Sequence, residues 1–301
     1  EQQYLFDRAS QIQLDPGDMI VEFGPFLGRS TYYLAAGLSM NSTRTDNRVI
    51  SYDRFATALS TTLFNRVYHP VSEAGIEGLL KEKDSLIDWK ECTEYFLEKY
   101  IPEYIDLEQY SLFDCFPKTK QYGEFESIAI LHIDAPKSWY KFIPILFRFF
   151  PLLKNGSIVI FQDYFYHWSA SLIAGVSHIL ESGNITPLQN NASAMAFRVT
   201  RRMTNEEAME IAINAQAKST ETVDIVLKSL DYIQSYTKDR PEIFVPRLYL
   251  AAIQVLKESN RHAEAASVLR KVISYVVAGE AHTSILENYL DLAKADYKML
   301  Y

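Results

Sequence analysis

The stretch Val21-Glu22-Phe23-Gly24-Pro25-Phe26-Leu27-Gly28-Arg29-Ser30-Thr31 constrains this chain most, because an apolar run ends in an acid and glycines and then opens a helix. Pro16-Gly17-Asp18 reads as a turn and Met19 to Phe23 as a short buried strand. Thr31, Leu34, Ala35 and Leu38 then fall at helical spacing, with Ser30 or Thr31 as the cap. Strand, tight turn and helix in that order describe a nucleotide-type cofactor site. Glycine there lets a bulky ligand lie almost on the backbone, and the amides of the helix start meet a carboxylate as readily as a phosphate. Gly24 and Gly28 are not in the G-x-G-x-x-G order that closes on a dinucleotide pyrophosphate, which disfavours an ordinary NAD site. A simple strand-to-helix turn would use the same glycines.

After a helix and the polar loop Asn41 to Asn47, the β-rich run Arg48 to Asp53 again ends in an acid. Asp53 can accept hydrogen bonds from both hydroxyls of a ribose; its other reading is a cap or turn aspartate. The interval 56–103 is longer than an ordinary crossover, with helical patterns at Ala58–Val67 and Leu79–Tyr100 and a short strand following at Tyr104–Leu107. Such an insertion at the carboxyl ends of the strands acts either as a lid and acceptor pocket or as a packing helix pair. Ile128 to Ile133 has the unbroken apolar character of a central parallel strand and delivers Asp134 to its end; Ser157 to Phe161 repeats the pattern and delivers Gln162 and Asp163. His132 lies inside its strand and reads as a core residue. His167 follows the aromatics Tyr164, Phe165 and Tyr166, which either form an acceptor pocket or cover the sheet edge.

On Val21–Thr31, Val49–Phe55, Ile130–Tyr140 and Leu152–Tyr164, spread over residues 1–202, the chain resembles the class I S-adenosylmethionine-dependent methyltransferases. The branch is that of small-molecule O-methyltransferases similar to the macrocin and caffeoyl-coenzyme A enzymes, whose fourth and fifth strands look like "HIDAPKSWY" and "LLKNGSIVIFQDY" here. The resemblance implies a Rossmann-like, seven-stranded, mostly parallel sheet with helices on both faces, and S-adenosylmethionine as cofactor. It implies that Glu22 lies near the methionine amino group, that Gly24, Gly28 and Ser30 carry the methionine end, that Asp53 holds the ribose, and that Asp134 borders the cofactor. In metal-dependent members, acids at the ends of the fourth and fifth strands hold a divalent cation, which would place Mg2+ on Asp134 and Asp163. Two departures weigh on that ligand set: the family's "IDGD" is Ile133-Asp134-Ala135-Pro136, and its "DDY" is Gln162-Asp163-Tyr164. The alternatives are a metal-free general base and a purely structural pair of aspartates. Asp134, Asp163, His167 and, if it is not simply a core residue, His132 are the candidate bases, with Lys137 stabilising a developing oxyanion.

Ile185–Leu188 and Ala194–Thr200 read as two final strands, and the character then changes. Helical spacing runs through Thr204–Ala217, Thr220–Tyr236, Pro241–Glu258, His262–Val277 and His282–Leu300, so residues 203–301 are expected to form an all-α, helical-hairpin domain similar to tetratricopeptide pairs, after a methyltransferase-like domain 1–202. Homodimerisation, docking to a protein partner and simple packing against the sheet are the roles open to it. A formal net charge of −8 argues against non-specific nucleic-acid binding, the apolar runs are too short for membrane insertion, and two cysteines make no disulfide framework, so a cytoplasmic location is expected. The expected activity is methyl transfer to a hydroxyl of a small acceptor, a sugar or natural-product intermediate. The other readings are a catalytically degenerate adaptor working through the helical domain, and a nicotinamide-dependent oxidoreductase.

Overall fold

The computed structural model describes residues 1–101, 103–109, 126–166, 169–216 and 220–277. His167 and the fifth expected C-terminal helix, His282–Leu300, lie outside the described residues. A seven-stranded sheet carries its strands in the order Ile105–Gln109, Val49–Asp53, Asp18–Phe23, Ser127–Ile133, Leu153–Phe161, Ala194–Val199 and Ile185–Asn191, and the chain divides into two compact units, Glu1–Ala135 and Pro136–Tyr301. The sheet is Rossmann-like and mostly parallel, as the resemblance implied.

The first unit opens with α1 (Gln2–Gln11), β1 (Asp18–Phe23), α2 (Arg29–Ser39) and β2 (Val49–Asp53). It closes with β6 (Ile105–Gln109) and β7 (Ser127–Ile133). β1 lies between parallel β2 and β7, and β2 pairs in parallel with β6. Because Phe23 is in register with both Tyr52 and Ile133, the residues that follow them, Gly24, Asp53 and Asp134, leave the sheet at one level. Every residue of β7 after Ser127 is buried, which is why the sequence reads as an unbroken apolar run there. Helices α1 and α2 cross at Gly37, where a Cβ would come within 2.4 Å of the Phe6 carbonyl oxygen.

Between β2 and β6 lie β3 (Ala56–Ala58), α3 (Thr62–Glu73), a 3-10 turn (Glu77–Leu79), β4 (Lys81–Lys83), β5 (Leu86–Asp88) and α4 (Lys90–Leu97). The continuous helix expected over Leu79–Tyr100 is therefore corrected to a hairpin followed by two helical turns. Asp84 and Ser85 both take left-handed φ, 52° and 62°, which is what a two-residue hairpin loop between Lys83 and Leu86 requires, and β5 pairs antiparallel with β4 and β3. The expected helix start at Ala58 moves to Thr62, because Ala58 belongs to β3 and the Thr61 side chain caps the helix by accepting from the Phe64 amide.

The second unit contains α5 (Trp139–Phe149), β8 (Leu153–Phe161), α6 (Ala170–Glu181), β9 (Ile185–Asn191), β10 (Ala194–Val199), α7 (Asn205–Gln216), α8 (Thr220–Tyr236), α9 (Pro241–Glu258) and α10 (His262–Val277). β10 is antiparallel to both β8 and β9. Phe142, Phe161, Tyr164 and Phe197 pack ring on ring beside it, and α6 bears on α5 through Gly175, where any side chain would overlap the Trp139 indole. α7, α8 and α9 pack against α6, and α9 is buried around most of its circumference. No helix among the described residues is long and apolar enough to cross a membrane.

Gly37→Ala tests the α1–α2 crossing. Although alanine is the better helix former, the clash is with backbone, so the variant should lose about 1–3 kcal/mol in chemical denaturation; an unchanged midpoint would show that the two helices part without cost.

Candidate functional site

Glu22 lies near the carboxyl end of β1 and is fully buried. Its Oε2 accepts from Thr31 Oγ1 at 2.5 Å and Ser51 Oγ at 2.7 Å, and its Oε1 is 3.0 Å from His132 Nδ1. One carboxylate thus joins β1, β2, β7 and the first turn of α2. Burial pushes the Glu22 carboxyl up, but the hydrogen bond and charge of His132, with Ser30 and Thr31, outweigh it and hold the group below its ordinary range. Ser30 and Thr31 are therefore not the caps the sequence suggested: the N-cap is Gly28, and the two hydroxyls turn inward to Glu22. His132, expected as a core residue, is buried as a polar partner.

The glycine turn has left-handed φ at Gly24 (86°), Phe26 (55°) and Gly28 (84°). Glycine was expected because a ligand must approach the backbone; the structure adds a cause internal to the chain. A Cβ on Gly24 would lie 2.8 Å from the Ala135 amide nitrogen, and one on Gly28 would lie 2.7 Å from a Leu97 methyl. Phe26 has no such freedom and is held in place. Its amide donates to Asp53 Oδ2 at 3.3 Å, its carbonyl accepts from Thr93 Oγ1 at 3.0 Å, and its ring meets the Trp89 indole edge-on.

Asp53, at the end of β2, is half-buried. Its Oδ1 accepts from the Phe55 amide at 2.9 Å, and Phe55 too has left-handed φ, 50°. Burial pushes the Asp53 carboxyl up against the pull of the Phe55 and Phe26 amides. Each oxygen keeps a lone pair beyond these bonds, so the carboxylate can accept from two further hydroxyls. Phe55 in turn anchors a small core of Val67, Val71, Trp89 and Cys92, against which Phe26 and Leu27 pack. The insertion is thus built onto the glycine turn and the β2 end as part of their support.

In the second unit, Asp163 follows β8 with left-handed φ, 55°. Its Oδ2 is 3.2 Å from Lys137 Nζ, its Oδ1 accepts from Ser193 Oγ at 3.1 Å, and its carbonyl accepts from Ser169 Oγ at 3.1 Å. Lys137 also donates to the Gln162 carbonyl at 3.1 Å. Asp163 is thus a strained residue fixed through both carboxylate oxygens and its carbonyl. Tyr164 and Phe165 are completely buried, so these two aromatics cover the sheet, whereas Tyr166 is half-buried under Arg247. Asp134 is half-buried just past β7, with its amide bonded to the Phe23 carbonyl. Among the described residues no three His, Cys, Asp or Glu side chains converge on a metal position, and one oxygen of Asp163 already faces the Lys137 ammonium.

Sequence reasoning missed Ser51, Thr93 and Ser193. Ser51 left a signal, a hydroxyl inside an otherwise apolar strand; Thr93 and Ser193 left none, because their partners lie 67 and 30 residues away.

No protein-family description and no curated protein matches the chain. Solved structures similar to it include the O-methyltransferase NovP, 14% identical with a TM-score of 0.46 over 66% of this chain and 79% of that one. CalS11, a TDP-rhamnose 3'-O-methyltransferase of calicheamicin biosynthesis, is 18% identical with a TM-score of 0.40 over 65% and 76%. The methyltransferase PaMTH1 of Podospora anserina, solved with S-adenosylhomocysteine bound, is 13% identical with a TM-score of 0.39 over 66% and 77%.

Glu22→Ala should cost about 3–5 kcal/mol of unfolding free energy, the range for removing one partner of a buried pair. Since the Glu22 carboxyl is held low in the folded protein, this contribution is present at neutral pH and is lost as pH falls through the depressed value. Denaturation of both proteins from pH 7 to pH 3 should therefore show the gap closing with acid; a gap that widened with acid would refute the assignment.

Proposed function

We propose that the protein transfers a methyl group from S-adenosylmethionine to a hydroxyl of a small molecule, a sugar or natural-product intermediate. The observation that carries this reading is the half-buried carboxylate of Asp53 beside a left-handed glycine turn, on the same sheet level as the start of α2. This set fits the cofactor. Asp53 has acceptor capacity for two ribose hydroxyls, and the first-turn amides of α2, which a helix cannot satisfy internally, suit the methionine carboxylate. Gly24, Gly28 and Ser30 shape that turn, and Glu22 holds it in place from beneath through Thr31 and Ser51. Asp134 is assigned to the cofactor's border.

When bound, the cofactor supplies a methyl group already activated on a positively charged sulfur. What remains for the protein is to orient the acceptor oxygen and take its proton. We assign the base to Asp163, which accepts the hydroxyl proton as the oxygen–methyl bond forms and the sulfur is left neutral. Lys137, 3.2 Å from Asp163, supplies positive charge where the acceptor oxygen becomes anionic. His167 stays a candidate for acceptor contact. No step is routed through a metal. Residues 1–202 are the catalytic part of this scheme; the net charge of −8 disfavours a nucleic-acid acceptor.

Calorimetric titration of S-adenosylhomocysteine into the wild type and Asp53→Ala, with NAD as control, tests the cofactor assignment. Loss of two hydrogen bonds to a charged group predicts at least a roughly tenfold weaker Kd for the variant; absence of binding to the wild type refutes the function. Asp163→Asn should lower the rate of S-adenosylhomocysteine formation by about a hundredfold or more while leaving cofactor affinity unchanged. The wild-type rate should survive excess EDTA, and its loss on chelation would restore the metal.

A further inference from the structure

We infer that the turn between α8 and α9 is a positioning device for Asp163, acting through the β9–β10 hairpin. The hairpin loop is Ala192-Ser193, closed by the pair Asn191 and Ala194. Ala192 has φ 47°, at a loop position where glycine is preferred, and Arg240, beginning α9, has φ 48°. Between these two strained residues the chain is locked reciprocally. Asp239 Oδ2 accepts from the Ala192 amide at 2.6 Å. Asn190, 3% exposed, accepts at Oδ1 from the Lys238 and Asp239 amides at 2.8 and 2.9 Å and donates from Nδ2 to the Asp239 carbonyl at 2.8 Å.

The next residue along, Ser193, donates to Asp163 Oδ1, and Asp163 is itself in a left-handed conformation. Three non-glycine residues with positive φ therefore lie along one path of alternating peptide links and hydrogen bonds, Arg240 to Asp239, Ala192 and Ser193, and Asp163. Each is a conformation that persists only where its surroundings over-determine it. α9 also braces the far side of the same segment, with Phe244 packed on Phe165 and Arg247 over the Tyr166 ring at 4.6 Å. The C-terminal helices thus fix the carboxylate's rotamer from one side, leaving Lys137 to fix it from the other. Asp239, Asn190 and Ser193 are positioning residues; that Asp163 acts on the acceptor rests on the function proposed above, whereas its placement by this turn does not.

Hydrogen–deuterium exchange of the full chain tests the link without any acceptor. Asp239→Ala should speed exchange about tenfold or more in peptides spanning both 189–194 and 161–166, with β1 and β2 peptides unchanged. Asp239→Asn, which keeps an oxygen for the Ala192 amide, should restore both, and Ser193→Ala should speed 161–166 alone. A change confined to 189–194, or an equal rise throughout the protein, overturns the inference. If Asp239→Ala does not fold, Ser193→Ala decides it, with unchanged exchange at 161–166 as the refuting result. Titration of S-adenosylhomocysteine into the same proteins separates the two proposals: wild type that binds none sinks the methyl-transfer reading and leaves the positional link to be judged by exchange alone.

Discussion

A single buried carboxylate organises the first unit of this protein. Glu22 has no contact with water, yet its two oxygens reach a threonine, a serine and a histidine on three other elements. Parallel strands share backbone hydrogen bonds whatever their sequence, and those bonds leave the relative height of neighbouring strand ends under-determined. The Glu22 cluster removes that freedom, because a one-residue slip of β2 or β7 would strand an ionised group in the core. The level at which Gly24, Asp53 and Asp134 leave the sheet follows from it.

Each unit carries backbone strain at a strand end. Phe26 and Phe55 turn their amides toward Asp53, and Asp163 takes a similar left-handed conformation at the end of β8. None is a glycine, so each needs outside support, and the supports differ. Phe26 and Phe55 are held by the small core of the insertion; Asp163 is held by side-chain hydroxyls and a lysine. Rigid elements thus carry carboxylates whose local geometry the backbone alone would not choose.

Legibility from sequence followed the range of the interactions. The strands β1, β2 and β7 and the helices α7 to α10 were readable because periodicity and burial are local properties of a few turns or residues. The insertion was misread as helix over Leu79–Tyr100, since Lys81 to Asp88 lacks the Asn-Gly signal and its hairpin depends on Asp84 and Ser85 adopting left-handed φ. Ser30 and Thr31 looked like caps because their chemistry is that of caps; only the position of Glu22 redirects them. Thr93 and Ser193 were invisible for the same reason, as their roles exist only once distant segments meet.

Leu97 sits where a side chain on Gly28 would be, and Thr93 holds the Phe26 carbonyl, so α4 and the glycine turn share one packing surface. Insertions at the mouth of an α/β sheet are commonly treated as exchangeable modules grafted onto an invariant base. Here the graft and the base are one piece of masonry: an insertion without a hydroxyl at position 93 and a branched side chain at position 97 would leave the Phe26 carbonyl without that partner and the space beside Gly28 unfilled.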